Sequence, residues 1–460
     1  MNTAKVKKRN QGLLAIIIFI NSVSVVWPKE FFKDLNVNGV MSLNWRLIGP
    51  KYPGFENQIQ NEVYLADMYF GFDGKISGKF PFFLEFQIPT ASRGGINLYR
   101  FSTELLYEEK YKLELGKFLI PFGHYNELYR PDQFLTVTRP LLYASPDSLD
   151  IVSRLNSPHP PISAGYTDIG VKAGYLPKSE HFWIPTEITF YLVNGLGETP
   201  NRIRTFQNSN NLLVPGTNVG GTDIDFGHLN NNLADNNNHK APGGRIVFAL
   251  GDLKIPTIFE ERKIELNGVR VGFSGMHGRY DLEEAVGGLN YQIIGTDLIF
   301  QYKNCSFSAE YIYGENDFRK AQADSGGMID FAQRTDHLQS KTEINKGYYI
   351  QTAFPAWKNP PIGQKLLGIL AFNRLERIGP ELIFSKNTNP ADGLPIIAFS
   401  PSRQRLKTLM DKYTAGLNWQ IANNFVMKAE YSYWKIKVPP VFDSPQSNIY
   451  QSALSWVFSF

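Results

Sequence analysis

Arg130, Arg139 and Arg154 fall in one stretch, 119–165, that also carries Glu127, Asp132, Asp147 and Asp150. Guanidinium and carboxylate groups gathered in this way bind and release charged solutes by electrostatics alone. A ring of one sign selects ions, whereas a mixed lining selects weakly. Covalent chemistry has less to build on. Asp324-Ser325-Gly326-Gly327 sets a serine between an acid and glycines, a local setting used by nucleophilic serines, but the partners that activate such a serine do not accompany it. His124, His159, His181, His228, His239, His277 and His337 are too scattered for the paired ligands of a zinc site. Cys305 is the single cysteine, which excludes an intramolecular disulfide and a cysteine-based metal centre. Asp223, Asp225 and Asp235 offer oxygen ligands of the kind calcium takes, yet carboxylates among asparagines are the ordinary make-up of a solvated loop. No catalytic residue, metal ligand or cofactor is expected.

The elements that must position the arginines are strands. From Ile449 to Phe460, every second residue back from the end gives Phe460, Phe458, Trp456, Leu454, Ser452 and Tyr450, a large and mostly aromatic face. The other set is Ser459, Val457, Ser455, Ala453, Gln451 and Ile449, which is small and mostly polar. A strand has a side-chain period of two, so this segment shows opposite characters to its two sides. The same alternation runs through 35–46, 79–87, 168–175, 306–313, 413–421 and 425–434. The polar sets include charges that a packed core would not accept. These are Arg46, Lys79, Arg100, Lys112, Lys172 and Arg245, with Asp67, Glu85, Glu104, Glu114, Glu187, Glu310 and Glu430. A barrel with lipid outside and water inside requires this pattern, so the charged set is assigned to the lumen, with Arg100 and Lys112 joining the three loop arginines as candidate solute contacts.

Counting segments gives about sixteen strands, an all-β transmembrane antiparallel barrel over 28–460. Composition agrees. Hydrophobic residues are 43% of the 460, which leaves no room for a bundle of apolar helices of about 20 residues each. Aromatic residues are 14%, enough for girdles at both interfaces. A net charge of +4 is not the dense basic patch of a nucleic-acid binder. At the N-terminus, Lys5, Lys7, Lys8 and Arg9 precede the apolar run Leu13–Ile20, so 1–27 reads as a signal peptide, with Ser22-Val23-Ser24 the nearest small-x-small triplet for cleavage. An uncleaved anchor is the alternative.

Connectors divide by length. Short ones are expected at Asp73-Gly74-Lys75, Glu108–Lys110, Asn304 and Ala422-Asn423-Asn424; long ones at 119–165, 195–242, 315–345, 377–411 and 435–447. Segment 251–266 breaks the rule, being long on the short side. An up-and-down barrel with short periplasmic turns and long outer loops predicts such asymmetry. Connector 119–165 is rich in proline and is the candidate constriction loop, because long connectors without periodicity are usually functional or disordered.

Several segments resemble the phosphate-selective porin O/P family. Leu113–Gly123 resembles its strand-to-loop segment with a Pro-Phe-Gly corner; Asp168-Ile169-Gly170-Val171 resembles the returning strand, and Val193-Asn194-Gly195 its Asn-Gly strand end. Tyr413–Trp419 and Lys428–Tyr431 resemble its penultimate hairpin. Phe460 resembles the terminal aromatic that the barrel-insertion machinery reads as an assembly signal. The resemblance implies a homotrimeric porin in the lipids of a bacterial outer membrane, a passive channel for small hydrophilic solutes or inorganic ions. An anion preference would come from the arginines; the mixed lining argues against strict phosphate selectivity. A barrel-borne lipase or protease and a structural or adhesive barrel are the competing readings.

Overall fold

The computed structural model describes residues 32–49, 60–76, 80–88, 96–143, 161–162, 165–177, 184–196, 198–202, 220–224, 239–251, 268–279, 290–302, 304–317, 319–322, 342–357, 359–379, 383–388, 395–398, 406–437 and 446–460. The strands, in chain order, are β1 (Phe32–Gly49), β2 (Gln60–Ile76), β3 (Phe80–Ile88), β4 (Asn97–Tyr107), β5 (Tyr111–Leu119), β6 (Thr167–Tyr175), β7 (Glu187–Val193), β8 (Glu198–Arg202), β9 (Gly220–Ile224), β10 (Ala241–Gly251) and β11 (Gly268–Arg279). They continue as β12 (Asn290–Tyr302), β13 (Cys305–Asp317), β14 (Arg319–Gln322), β15 (Thr342–Pro355), β16 (Lys365–Gly379), β17 (Ile383–Thr388), β18 (Pro395–Ala398), β19 (Leu406–Ala422), β20 (Phe425–Lys437) and β21 (Gln446–Ser459).

Sixteen of these close a barrel in chain order, omitting only β8, β9, β14, β17 and β18, which form small sheets within the long connectors. Each neighbouring pair is antiparallel, and β1 pairs with β21 from Val40↔Ser459 to Gly49↔Tyr450 to shut the sheet. Closure leaves no strand edge unpaired, the condition for backbone in hydrocarbon. Beyond the final strand, Phe460 still exchanges both backbone hydrogen bonds with Gly39, at 2.9 and 3.0 Å.

The strand ends that flank 77–79, 108–110, 303–304 and 423–424 define one end of the barrel, hereafter the turn end; those that flank 120–166, 194–240, 318–341 and 380–405 define the other, the loop end. The ends of β10 and β11 that flank 252–267 belong to the turn end. The expected turn at Asp73-Gly74-Lys75 is corrected: β2 runs on to Ile76, with Asp73 opposite Asn36. The amides of Asn36 and Asn38 donate to the Asp73 carboxylate at 3.1 and 2.9 Å, so the apparent turn triplet is strand. Residues 1–27 lie outside the described residues.

Alternation sorts the side chains. Phe101, Leu115, Phe190, Phe273, Ile294, Leu370 and Leu417 are exposed on the outside, whereas their strand neighbours of opposite parity are buried within. Aromatics gather at both ends of the outer face, with Tyr107, Tyr111 and Tyr175 at the turn end and Tyr413, Tyr433 and Tyr450 toward the loop end. A closed barrel whose outside is apolar and girdled by aromatics is an outer-membrane β-barrel.

Candidate functional site: the loop-filled lumen

Register places the inward charges beside one another around the barrel waist. Glu85 on β3 is opposite Arg100 on β4, and Glu114 on β5 is opposite Lys172 on β6, with 2.5 Å between their charged groups. Arg245 on β10 holds Asp297 on β12 through two bonds of 2.7 and 3.0 Å and reaches Ser274 on β11 at 2.7 Å. Lys412 on β19 lies 3.4 Å from Glu430 on β20. Each of these charges has a partner of opposite sign, as it must where charges are shielded from water, because a buried charge persists only with a partner. A bulge adds one feature. The register shifts between Glu85↔Arg100 and Phe86↔Leu98, leaving Tyr99 as the extra residue, so Tyr99 and Arg100 are both buried inward.

The third loop-end connector folds into this space. It leaves β5 through Ile120, Pro121 and Phe122, all buried, and turns at Gly123 with φ of +66°. A side chain there would collide with the Glu310 carboxylate and the Tyr143 hydroxyl, so both backbone conformation and space demand glycine. The Gly123 N–H donates to Ser274 Oγ at 3.1 Å and the Tyr125 N–H to Glu310 at 3.3 Å, while the Tyr143 hydroxyl donates to the same carboxylate. Asn126 ties the loop's two arms together: its Nδ2 donates to Ile120 O and its Oδ1 accepts from the Tyr166 N–H, each at 2.8 Å.

The far side of the loop is gripped by β20. Lys428 Nζ donates to Pro131 O at 2.6 Å, to Thr136 O at 3.2 Å and to Phe134 O. Two residues along on the same face, Glu430 accepts from the Val137 and Thr138 N–H groups at 2.8 and 2.9 Å and from the Thr138 hydroxyl. Asn418 on β19 donates to Leu135 O at 2.9 Å. These wall residues satisfy loop backbone groups that would otherwise be buried without partners.

Toward the loop end the lumen is apolar. Phe118, Ile120, Phe122, Tyr125, Leu142 and Tyr143 pack with Ile293, Ile312, Tyr349, Leu375, Met410 and Trp434 of the wall in one cluster. Tyr125 stacks on Tyr143 with ring centroids 5.2 Å apart. A second cluster, Tyr69, Tyr99 and Tyr129, joins the loop to β2 and β4 at centroid distances of 5.1–5.4 Å. Between loop and wall, Thr138, Arg139, Tyr349, Asn373 and Lys412 border a cavity of about 10 Å³, space for one water.

The candidate arginines are engaged in this network. Arg130 lies 3.8 Å from Glu85 and 3.6 Å from Asp132 and donates to Asn38 at 3.3 Å. Burial lowers the affinity of its guanidinium for a proton, but Asp132, Tyr129 and Glu85 outweigh burial and raise it. Arg139 donates to Tyr129 O at 3.0 Å. Arg100 donates to the Tyr129 hydroxyl at 3.3 Å with its guanidinium over the Phe83 ring. Lys112 pairs with Glu104 at 2.7 Å near the turn end, away from the loop. Arg154 lies outside the described residues, as do Asp147, Asp150, 324–327 and Asp235. Glu127 meets Arg270 at 3.4 Å, Arg245 at 3.8 Å and His124 at 3.8 Å. Burial pushes the Glu127 carboxyl up, but Arg270, His124 and Arg245 together hold it well below the usual carboxylate range. Among the described residues, no cluster of His, Cys, Asp or Glu is arranged to hold a metal ion.

What escaped the sequence reading is that Lys428, Ser274, Asn126 and Asn418 hold the loop. Lys428 and Glu430 carry a signal: opposite charges two apart on the polar face of a strand. Their targets do not, lying nearly three hundred residues earlier in the chain.

Three of the family-like segments meet in space. Asp168 accepts from the Gly195 N–H at 2.7 Å, the Asn194 N–H donates to Ile169 O at 3.0 Å, and the Ile120 N–H donates to Tyr166 O at 2.9 Å.

The closed sixteen-strand fold with its inward loop is that of an outer-membrane β-barrel. No family model matches the chain, and no curated protein is significantly similar to it. Similar solved structures include the outer membrane channel DcaP of Acinetobacter baumannii, at 11% identity and a TM-score of 0.47, covering 93% of this chain and 97% of that one. The anion-selective porin from Comamonas acidovorans aligns at 9% identity and a TM-score of 0.45, covering 93% and 99%. OmpT of Vibrio cholerae in its trimer form, an outer membrane protein, aligns at 8% identity and a TM-score of 0.45, again covering 93% and 99%. At these values the likeness is one of overall barrel and extends to no residue or solute.

Proposed function

We propose that the chain is a porin, a passive channel that lets small hydrophilic solutes or inorganic ions cross the outer membrane around the 120–143 loop. The observation that carries this reading is the loop itself, folded into a closed barrel and bonded to β1, β3, β11, β13, β19 and β20 at the level of the charged belt. Passage then needs only a wetted path and transient polar contacts, with no covalent step. Because Glu85, Glu114, Asp297 and Glu430 each answer a cation, the belt supports weak selectivity, and the anion preference assigned to Arg130, Arg139 and Arg154 is a small one.

Affiliation with phosphate-selective O/P porins belongs to the same proposal. It is supported by the meeting of the Pro-Phe-Gly corner, the 168–171 segment and the Asn-Gly strand end. Homotrimer assembly follows from that affiliation and is checked by sizing the protein in detergent. A second reading, a sealed structural or adhesive barrel, draws on the apolar packing between loop and wall.

Planar-bilayer recording decides between them. Stepwise conductance is expected, with an anion-favouring reversal potential that shifts by a few millivolts toward zero in Arg130→Ala/Arg139→Ala/Arg154→Ala. Folded protein that inserts without conducting would establish the sealed barrel. An unmoved reversal potential would remove those arginines from the conduction path.

A further inference from the structure

The outer face carries an ordered feature that conduction does not use. Across β15, β16, β19, β20 and β21, Tyr348, Phe372, Tyr413, Tyr433 and Tyr450 form a continuous band, with successive ring centroids 5.7, 4.9, 6.1 and 5.1 Å apart. Such bands sit at the headgroup boundary of the bilayer. Two residues nearer the loop end on the same face come Lys346, Arg374 and Lys435, about 6.6 Å beyond the rings at the rise of a strand. Lys407 and Lys437 lie further along the same face. Charges at hydrocarbon depth would be costly, and above the aromatic band they instead occupy the layer where lipid phosphates lie.

The carboxylates within the patch are already engaged. Asp411 takes Arg374 through bonds of 2.6 and 2.9 Å, and Glu376 lies 2.8 Å from Lys407 and 3.8 Å from Lys346. The lysines outnumber them and stay accessible: the Lys407 side chain is 56% exposed and that of Lys346 33%. On adjoining β13 the charge reverses at Glu315, which accepts from the Tyr313 hydroxyl at 2.7 Å and marks the edge of the patch.

We propose that this patch, Lys346, Arg374, Lys407, Lys435 and Lys437 above the aromatic band, binds the phosphorylated headgroup of an anionic lipid in the outward-facing leaflet. Charge complementarity favours a lipid phosphate over a second copy of the chain, since a self-contact of this face would set cation against cation.

The test uses the full-length protein in nonionic micelles, offered either a bisphosphorylated diglucosamine lipid, the same lipid dephosphorylated, or phosphatidylcholine, with bound lipid read by native mass spectrometry. Wild type should retain the bisphosphorylated lipid in preference to the other two. Lys346→Gln/Lys407→Gln/Lys435→Gln/Lys437→Gln should retain at least about tenfold less, since one cation near an anionic leaflet is already worth about fivefold. Heat-dependent gel mobility shows that the variant is folded. Equal retention by wild type and variant would overturn the proposal. So would a wild type indifferent to the lipid's phosphates, or a variant altered in oligomeric state with lipid retention unchanged.

Discussion

Two sides of the lumen hold the same loop by different means. On β20, Lys428 and Glu430 grip backbone carbonyls and N–H groups, so the hold does not depend on which side chains the loop carries there. Toward the loop end, the rings of Phe122, Tyr125 and Tyr143 pack against Tyr349 and Ile312, and that part of the hold depends on shape, with Ser274 and Glu310 adding a few bonds beside it. Polar grip fixes where the backbone runs, while apolar packing decides how much water passes beside it. A loop held by packing alone could slide; one held by bonds alone would leave wet gaps along its length.

The largest effect should come from the polar side. Lys428→Ala leaves the Pro131, Phe134 and Thr136 carbonyls buried without their donor, which should cost about 3 kcal/mol of stability. Urea unfolding in micelles checks it; a loss as small as that of a surface lysine would break the contrast between the two sides. Gly123→Ala comes next. It forces a side chain onto φ of +66° and into the Glu310 carboxylate, at about 2 kcal/mol in the same assay.

The third prediction concerns pH. The folded-state pKa of Glu127 is depressed by Arg270, His124 and Arg245, so its contribution is fully present above the ordinary carboxylate range of about 4 and is lost as pH falls through the lower folded value. With Glu127 partly exposed, about 1 kcal/mol is at stake. Hydrogen exchange of the Tyr125–Leu128 turn should be equally protected at pH 8 and pH 5 relative to intrinsic rates, and less so near pH 3. Glu127→Gln should remove that dependence. Loss of protection already between pH 8 and pH 6 would contradict it.

The barrel was legible because alternation is a local signal. In Phe425–Trp434 every second residue declares its face, and the structure puts Lys428, Glu430, Ser432 and Trp434 inside as read. Alternation is blind to where a strand stops: Asp73-Gly74-Lys75 has turn chemistry, yet Asn36 and Asn38 across the sheet hold it extended. A bulge is hidden too, since Tyr99 and Arg100 share the lumen only through a register shift against β3. The inward loop was singled out by length and proline content, but its contacts were not. Arg130 read as a solute contact set against Asp132, and its second partner Glu85, forty-odd residues earlier, is brought to it by the barrel rather than by sequence. Trp434 and Ile449 were assigned to the inner face by alternation, but that they pack with Ile436 and the loop into one apolar cluster is plain only in the closed sheet.

The central claim is that the 120–143 loop, fixed by β20, sets the width of a conducting lumen. Single-channel conductance of wild type beside Lys428→Ala/Glu430→Ala, both confirmed as folded barrels, tests it most directly. Small, uniform steps in wild type and larger or flickering steps in the variant are the predicted result. Identical steps from the two proteins would contradict it.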